Sequence, residues 1–205
     1  IKKFRGSTTS VKSAKINMQP FSEVSIGNEL MFNGANNYFE AAGHYKNAIK
    51  IDSAFFPAWA GLIRALSLYA FQGTNRSDTL LRREVQSQLN YVNSHFEDSW
   101  EKTEVMANYK YHVERKYEEA KELFLKVLQE NPDAETSNYL LASISKRQLK
   151  LSLALKYMLR ATKIRNTPSY MYNLAVIYDL RGGYDKAEAA YQSALSNGFN
   201  LAGYS

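Results

Sequence analysis

Three histidines are the first candidates for chemistry in this chain of 205 residues. His44, His95 and His112 lie far apart in the sequence, and none of them belongs to an HExxH motif. A structural zinc site draws most of its ligands from cysteine and histidine, and the chain has no cysteine. We therefore expect no metal site, and we assign His44 to the surface or to a helix joint.

A second candidate is the carboxylate group formed by Glu118, Glu119 and Glu122. These residues lie where a helix is predicted to begin, and carboxylates there are stabilised by the positive end of the helix dipole. This structural role is favoured over acid–base catalysis. The sequence also lacks the glycine motifs GxGxxG and GxxxxGK[ST] and the nucleophile motif GxSxG. We predict that the chain is not an enzyme and binds no cofactor.

The charges are unevenly distributed along the chain, whose formal net charge is +6. No acidic residue occurs between Thr136 and Tyr178, whereas seven basic residues lie between Lys146 and Arg165. Such a stretch can bind nucleic acid or acidic peptides, but a solvated outer face is the commoner explanation. No apolar run is long enough to span a bilayer, so we expect no membrane insertion. A cytoplasmic location is a separate expectation.

The elements that would position any site come from a repeat whose period is about 34 residues. Ala187, Tyr191 and Ala194 follow a small–aromatic–small pattern that places all three side chains on one helical face. Equivalent triplets lie one period earlier, at Ala154, Met158 and Ala161, and two periods earlier, at Ala120, Phe124 and Val127. The stretch "YFEAAGHYKNAIKID" repeats the pattern near the start.

This pattern, together with Pro57, Pro132, Pro168 and the pair Gly182–Gly183 at the joints, predicts ten helices in five antiparallel pairs. The second pair is about 11 residues too long for the period, so it must have a longer loop, a longer second helix, or both. The predicted spans are 25–33 and 37–51, 57–71 and 77–95, 99–114 and 117–130, 134–148 and 150–164, and 168–181 and 184–197. We interpret residues 1–22 as a basic arm or linker, 23–200 as the repeat domain and 201–205 as a tail.

The sequence resembles the tetratricopeptide repeat (TPR) family over about residues 25–200. The match is best in "YNLAVIYDLRGGYDKAEAAYQSAL" and "YEEAKELFLKVLQENP", and it is looser toward TPR regions beside bacterial regulatory domains. The family implies an all-α fold, a right-handed α-solenoid of about five antiparallel helix pairs. Its concave groove is lined by the first helix of each pair.

The resemblance also implies which side chains face that groove. The candidates are Arg64, Tyr109, His112, Tyr139, Lys146, Arg147, Tyr172 and Asp179. Tyr109, Tyr139 and Tyr172 would form an aromatic ladder for an extended peptide, although the same tyrosines could instead pack between helices. The carboxylate clamp of some family members is not present as a motif.

We therefore predict a non-catalytic protein-interaction module that binds a peptide or protein partner, which could be acidic, and that belongs to a larger regulatory or assembly protein. The alternative is a nucleic-acid-binding helical repeat that uses the basic 146–165 stretch. The side chains at matching repeat positions do not form a regular polar set, which disfavours it. Because no polar capping helix follows the last pair, a homodimer through the uncapped C-terminal end is a further expectation.

Overall fold

The structure is a computed structural model that describes residues 17–32, 37–72 and 78–199. Ten α-helices lie within these ranges, and these ranges contain no β-strand. The helices are α1 (Gln19–Phe32), α2 (Tyr38–Ile51), α3 (Phe56–Phe71), α4 (Thr79–His95), α5 (Trp100–Tyr109), α6 (Tyr117–Glu130), α7 (Glu135–Arg147), α8 (Leu151–Ile164), α9 (Pro168–Leu180) and α10 (Tyr184–Ser196).

The helices pack in sequence order as five pairs, which confirms the predicted all-α repeat architecture. Three buried clusters run through the array: the first spans α2 to α5, the second lies between α5 and α7, and the third lies between α7 and α9. Each pair contributes one side to the core of the next pair. The core is therefore a continuous strip along the array, as expected for stacked repeats.

The first helix starts earlier than the sequence pattern predicts. Helix α1 begins at Gln19, not near residue 25, and includes the buried Pro20. Proline is tolerated in the first turn of a helix, where its missing N–H has no intrahelical partner. Residues 1–16 of the predicted basic arm and the predicted tail at 201–205 lie outside the described residues.

The small–aromatic–small pattern forms the contact between neighbouring helices. Ala120, Ala154 and Ala187 are each at most 3 % exposed, and Phe124 is fully buried. Since an alanine lets two helix backbones approach closely, the larger side chain one turn later fills the space beside that contact. The prediction that these alanines face the core is confirmed.

Tyr45 shows how tight this arrangement is. Its ring lies between Gly27 of α1 and Gly61 of α3 and is 1 % exposed. A Cβ atom would lie 2.8 Å from Tyr45 Cζ if built on Gly27, and 2.6 Å from the same atom if built on Gly61. The Tyr45 hydroxyl donates a hydrogen bond of 2.8 Å to Asn28 Oδ1. Two glycines are therefore needed for one tyrosine to fit between three helices.

The irregular second pair has a long second helix, which was one of the predicted explanations. Helix α4 has 17 residues, whereas α2, α6, α8 and α10 have 13 or 14. It begins at an Asp78 cap that accepts hydrogen bonds from the backbone N–H groups of Leu80 and Leu81. Its side chains reach both neighbouring pairs: Glu84 binds Lys46 of α2 at 2.7 Å, and Arg82 donates to the Val113 carbonyl at 2.8 Å.

The turns inside the last three pairs share one left-handed residue at the same repeat position. Arg115, Leu149 and Gly182 have φ values of 58°, 57° and 75°. Only glycine adopts this conformation without a steric cost, so Arg115 and Leu149 are strained where Gly182 is not. Leu149 is 76 % exposed, and so little packing offsets that strain.

Replacing Gly61 with alanine should destabilise the fold by roughly 1–3 kcal/mol, because the new methyl group would overlap the Tyr45 ring. Gly43→Ala is the matched control. Gly43 also lies inside a helix, but nothing lies within 4 Å of a Cβ built there, and helix propensity favours alanine by roughly 0.5–1 kcal/mol. Urea unfolding followed by circular dichroism should give opposite signs for the two variants. Equal signs would contradict the described packing of Tyr45.

Replacing Leu149 with glycine should raise the free energy of unfolding by about 0.5–1 kcal/mol, because the left-handed strain is relieved. Gly182→Leu should lower it by about 1 kcal/mol at the equivalent position, where a Cβ meets no atom within 4 Å. Thermal unfolding of both variants beside the native chain tests this pair. A destabilised Leu149→Gly protein would show that the turn is held by contacts of the leucine side chain.

Candidate functional site

The first helices of the last four pairs, α3, α5, α7 and α9, form a continuous surface that we call the inner wall. Burial raises the pKa of Tyr170 on α9, the Glu135 charge adds to this effect, and the positive charge of Arg64 on α3 opposes it. Charged groups on these helices therefore act on one another across the inner wall.

Hydrogen bonds between successive inner helices fix the middle of the inner wall. Glu104 Oε1 accepts bonds from the Ser137 N–H at 3.1 Å and from the Ser137 hydroxyl at 2.6 Å. One pair further along, the Tyr170 hydroxyl donates to Glu135 Oε1 at 2.6 Å. Arg165 binds the other oxygen of Glu135 at 2.7 Å.

The Glu104 contact also caps a helix. Helix α7 starts after Ala134, which has no side chain that could accept from the free N–H groups of the first turn. The Glu104 carboxylate takes that role from the neighbouring inner helix. Burial raises the pKa of Glu104, while the Ser137 hydrogen bonds and the Arg64 charge oppose the rise.

Arg64 is a candidate that forms no ion pair with any described residue. It lies half-buried at the middle of α3. Among the described residues, no carboxylate lies within 4 Å of its guanidinium group, and it has no hydrogen-bond partner there. Its charge nevertheless acts on Glu104, His112 and Tyr170 from three different elements. Arg64 is thus a half-buried arginine on an inner helix whose guanidinium has no hydrogen-bond partner among the described residues.

Tyr139 and Lys146 meet at Asn173, a residue that the repeat pattern did not select. Lys146 Nζ donates to Asn173 Oδ1 at 3.0 Å, and Asn173 Nδ2 lies 3.4 Å from the Tyr139 hydroxyl. The Tyr139 ring stacks on Tyr170 with centroids 4.5 Å apart. Burial lowers the pKa of Lys146, and the neighbouring Arg147 charge adds to this effect. A cation, an amide and two stacked rings therefore occupy one stretch of the inner wall.

Arg147 lies at the edge of the inner wall, beside the turn between α5 and α6. Its guanidinium carbon is 4.9 Å from the centre of the Tyr117 ring and 5.9 Å from that of Tyr111. It also donates to the Tyr117 hydroxyl at 3.3 Å. These cation–π contacts hold the exposed arginine against the neighbouring pair.

Tyr109 and His112 lie inside the protein. Tyr109 is 6 % exposed, packs in the core between α3 and α5, and donates its hydroxyl to Gln86 of α4. His112 lies in a π-helical turn, Lys110–Glu114, which continues α5. The Phe71 ring meets the His112 imidazole edge-on at 5.3 Å, and His112 Nδ1 is buried without a hydrogen-bond partner.

Tyr172 and Asp179 lie on α9, toward the end of the array. The Tyr172 ring stacks on Phe199 at 4.4 Å and contacts Tyr191 at 5.5 Å, so it packs between α9 and α10. Asp179 is exposed, and its charge adds to the effect of burial in raising the pKa of Tyr191. The structure does not stack Tyr109, Tyr139 and Tyr172 on one another, since each has a different aromatic or polar neighbour.

The residues that the sequence analysis did not select form contacts across one repeat, one of them with the candidate Tyr139. Glu104 and Ser137 are 33 residues apart, Tyr139 and Asn173 are 34 apart, and Glu135 and Tyr170 are 35 apart. Polar residues separated by about one period were therefore the signal that could have found them. Among the described residues, no group of three possible metal ligands occurs, and no helix is long and apolar enough to cross a membrane.

His112 should make the fold sensitive to acid. Burial lowers the pKa of His112 from 6.5 to about 3, and the charges of Arg64 and Arg147 contribute. The unfolded chain takes up a proton near pH 6.5 while the folded chain does not, so stability is lost as the pH falls from about 6.5 toward 3. We expect a loss of about 1 kcal/mol per pH unit from this residue.

The measurement is urea unfolding at pH 7.5 and pH 5.5 for the native chain and for His112→Asn. The variant keeps His44 and His95, so their contribution to the pH dependence is the same in both proteins. The difference in unfolding free energy between the two pH values should shrink by about 1 kcal/mol in the variant. An unchanged difference would show that His112 is not held neutral by its surroundings.

No model of a known protein family matches this sequence, and no curated protein sequence matches it. Solved structures do match. The chain is similar to TTC0263, a thermophilic TPR protein of Thermus thermophilus, with a TM-score of 0.61, 16 % identity, and coverage of 87 % of this chain and 91 % of that chain.

It is also similar to PilF of Pseudomonas aeruginosa, with a TM-score of 0.58 and 17 % identity over 89 % of this chain and 78 % of that chain. A third similar structure is MamA from Desulfovibrio magneticus RS-1, with a TM-score of 0.50 and 13 % identity over 88 % of this chain and 95 % of that chain. At these identities the likeness concerns the fold. The ten paired helices described above have the tetratricopeptide repeat fold.

Proposed function

We propose that this chain is a non-catalytic protein-interaction module that binds an extended segment of a partner protein along the inner wall. The observation that supports the proposal is Arg64, which lies half-buried on the inner helix α3 with no carboxylate within 4 Å of its guanidinium among the described residues. An arginine held in this way offers a fork of N–H donors to an incoming carboxylate or carbonyl group.

The rigidity of the inner wall supports this proposal. Cross-repeat hydrogen bonds from Ser137 to Glu104 and from Tyr170 to Glu135 hold three inner helices in register before any partner arrives. A pre-organised surface loses little conformational entropy on binding, which favours affinity. Lys146 and Tyr139, which meet at Asn173, supply a second polar position further along the same wall.

The charge of these groups favours an acidic partner segment. Arg64 and Lys146 are both cationic, and Lys146 lies in a partly desolvated position where attraction to a carboxylate is weakly screened. We further propose that the module works as part of a larger regulatory or assembly protein, since a binding surface acts by bringing its partner to other domains.

The nucleic-acid alternative receives less support from the arrangement of the basic 146–165 stretch. Arg160 binds Asp133 at 3.1 Å, Arg165 binds Glu135 at 2.7 Å, and Arg147 lies on the Tyr117 ring. Lys146 faces the inner wall, while Lys156 and Lys163 lie exposed on α8. These side chains point to different surfaces, and several of them are already neutralised, whereas phosphate binding needs a continuous patch of free cations.

The test is selection from a phage-displayed library of random peptides, followed by affinity measurement on the enriched peptides. We expect enrichment of Asp and Glu and a loss of about tenfold or more in affinity for Arg64→Gln, because a partly buried charge–charge contact is removed. Arg83→Gln is the matched control, since Arg83 is an exposed arginine on α4.

Two results would contradict the proposal. One is a library that yields no enriched sequence while the folded protein is intact by circular dichroism. The other is equal affinity of the enriched peptides for Arg64→Gln and for Arg83→Gln, which would place binding away from the inner wall. If the chain instead bound random RNA tightly at physiological salt, the nucleic-acid alternative would replace it.

A further inference from the structure

Two neighbouring outer helices of the array carry opposite charge. Helix α6 has four glutamates, at 118, 119, 122 and 130, against Lys121 and Lys126. Helix α8 has Lys156, Arg160 and Lys163 and no acidic residue. A salt bridge of 3.1 Å joins Arg160 of α8 to Asp133, which lies in the turn just after α6.

The charges that matter for binding are those without a partner inside the chain. Glu118 binds Lys121, and Glu119 binds Lys110 and Lys116. In contrast, Glu122, Lys126 and Glu130 on α6 and Lys156 and Lys163 on α8 have no opposite charge within 4 Å among the described residues. All five side chains are exposed. The unpaired charges therefore form a strip on α6 that is negative on balance, with two glutamates and one lysine, and a positive strip on α8.

An exposed leucine lies within each strip. Leu125 is 37 % exposed and Leu159 is 43 % exposed, and they occupy the same position in consecutive repeats. Glu122 and Lys156 are also separated by one repeat period, so they form a second matched pair one turn earlier. Because α6 and α8 are the second helices of consecutive antiparallel pairs, they run in the same direction, and matched residues lie at the same height.

We propose that two copies of this chain associate face to face through α6 and α8, with a two-fold axis parallel to these helices. That rotation places α6 of one copy against α8 of the second copy, and the reverse contact forms at the same time. Glu122 then faces Lys156 of the second copy, and Leu125 faces its Leu159. Each contact occurs twice, so the surface is complementary to itself in charge and in apolar area.

The proposed dimer brings one pair of like charges together, and a neighbouring carboxylate compensates for their repulsion. Lys126 and Arg160 also occupy matched positions, and they would meet across the axis. The Arg160 guanidinium already forms a salt bridge with the exposed carboxylate of Asp133. In the dimer, Lys126 therefore approaches an ion pair whose net charge is zero, and it can bind the Asp133 carboxylate.

The area of the proposed interface determines how tightly the two copies should bind each other. Each helix has 14 residues and is therefore about 21 Å long, so two adjacent helix faces cover roughly 400 Å² per copy. This area is below that of a standard stable interface. We expect weak, salt-sensitive self-association with a Kd of the order of 100 µM at low salt.

The experiment uses two variants with swapped charge and sedimentation equilibrium on the whole chain. Glu122→Lys with Glu130→Lys makes both helices basic, and Lys156→Glu with Lys163→Glu makes both helices acidic. Each variant alone should be monomeric where the native chain dimerises, because like charges now face each other. An equimolar mixture of the two should form a heterodimer at least as stable as the native dimer, since the facing helices of the two variants carry opposite charge.

A third variant separates this surface from the C-terminal end of the array. Leu195 on α10 is 59 % exposed and belongs to the end through which the sequence predicts a homodimer. Leu195→Ser should leave the α6–α8 dimer unchanged. Circular dichroism of all variants checks that these exposed substitutions leave the helices intact.

Three results would overturn the proposal. They are a native chain that stays monomeric at millimolar protein concentration and low salt, charge variants that each dimerise as the native chain does, and a mixture of the two variants that stays monomeric. Loss of the dimer in Leu195→Ser alone would assign self-association to the C-terminal end. Because peptide affinity of the inner wall is measured separately, failure of this proposal leaves the proposed function standing.

Discussion

The structure depends on how closely neighbouring helices can approach. Tyr45 fits only because Gly27 and Gly61 have no side chain at the two positions that its ring covers. In later repeats Phe124 or Met158 stands at the position of the tyrosine and is fully buried. This alternation of small and large side chains sets the distance between helices, and each contact therefore adds a similar step to the array.

Because the step repeats, polar side chains separated by about one period become neighbours. Glu104 reaches Ser137 and Tyr139 reaches Asn173 across adjacent inner helices. Each bond satisfies a group that would otherwise lie partly buried without a partner, which is costly. Arg64 lies outside these pairs, since no described residue forms a hydrogen bond or an ion pair with its guanidinium. The inner wall thus has both paired polar side chains and an unpaired cation.

The repeat also explains the outer surface. Helices α6 and α8 run in the same direction, and residues at matched positions lie at the same height. A sequence difference between the two repeats therefore gives two parallel strips with different side chains. Glu122 and Lys156 are such a pair. In an array of this kind, a charge change between consecutive repeats creates a surface that complements itself under a two-fold rotation. A globular fold without repeats has no such relation between its helices.

The sequence by itself determined the helices and their partners. The repeat period and the buried triplets such as Ala154, Met158 and Ala161 predicted five antiparallel pairs, because helical periodicity and the residues at turns depend on local chemistry. It also identified the second pair as irregular, and α4, with 17 residues against 13 or 14 in the other second helices, supplies part of the extra length. The start of α1 was predicted too late because the pattern there is weak and a proline is present.

Only the tertiary structure decided which candidate side chains are buried and which neighbours they contact. Tyr109 and His112 share the repeat positions of groove residues, yet the long helix α4 and the π-helical turn bring them into the core. Tyr172 packs on Phe199, and Arg147 lies at an edge on Tyr117. These outcomes depend on the rotation and length of neighbouring helices. A repeat pattern predicts which face of a helix packs against its neighbours, but only to within about one turn. Burial can differ between adjacent residues, so the pattern does not predict it for each side chain.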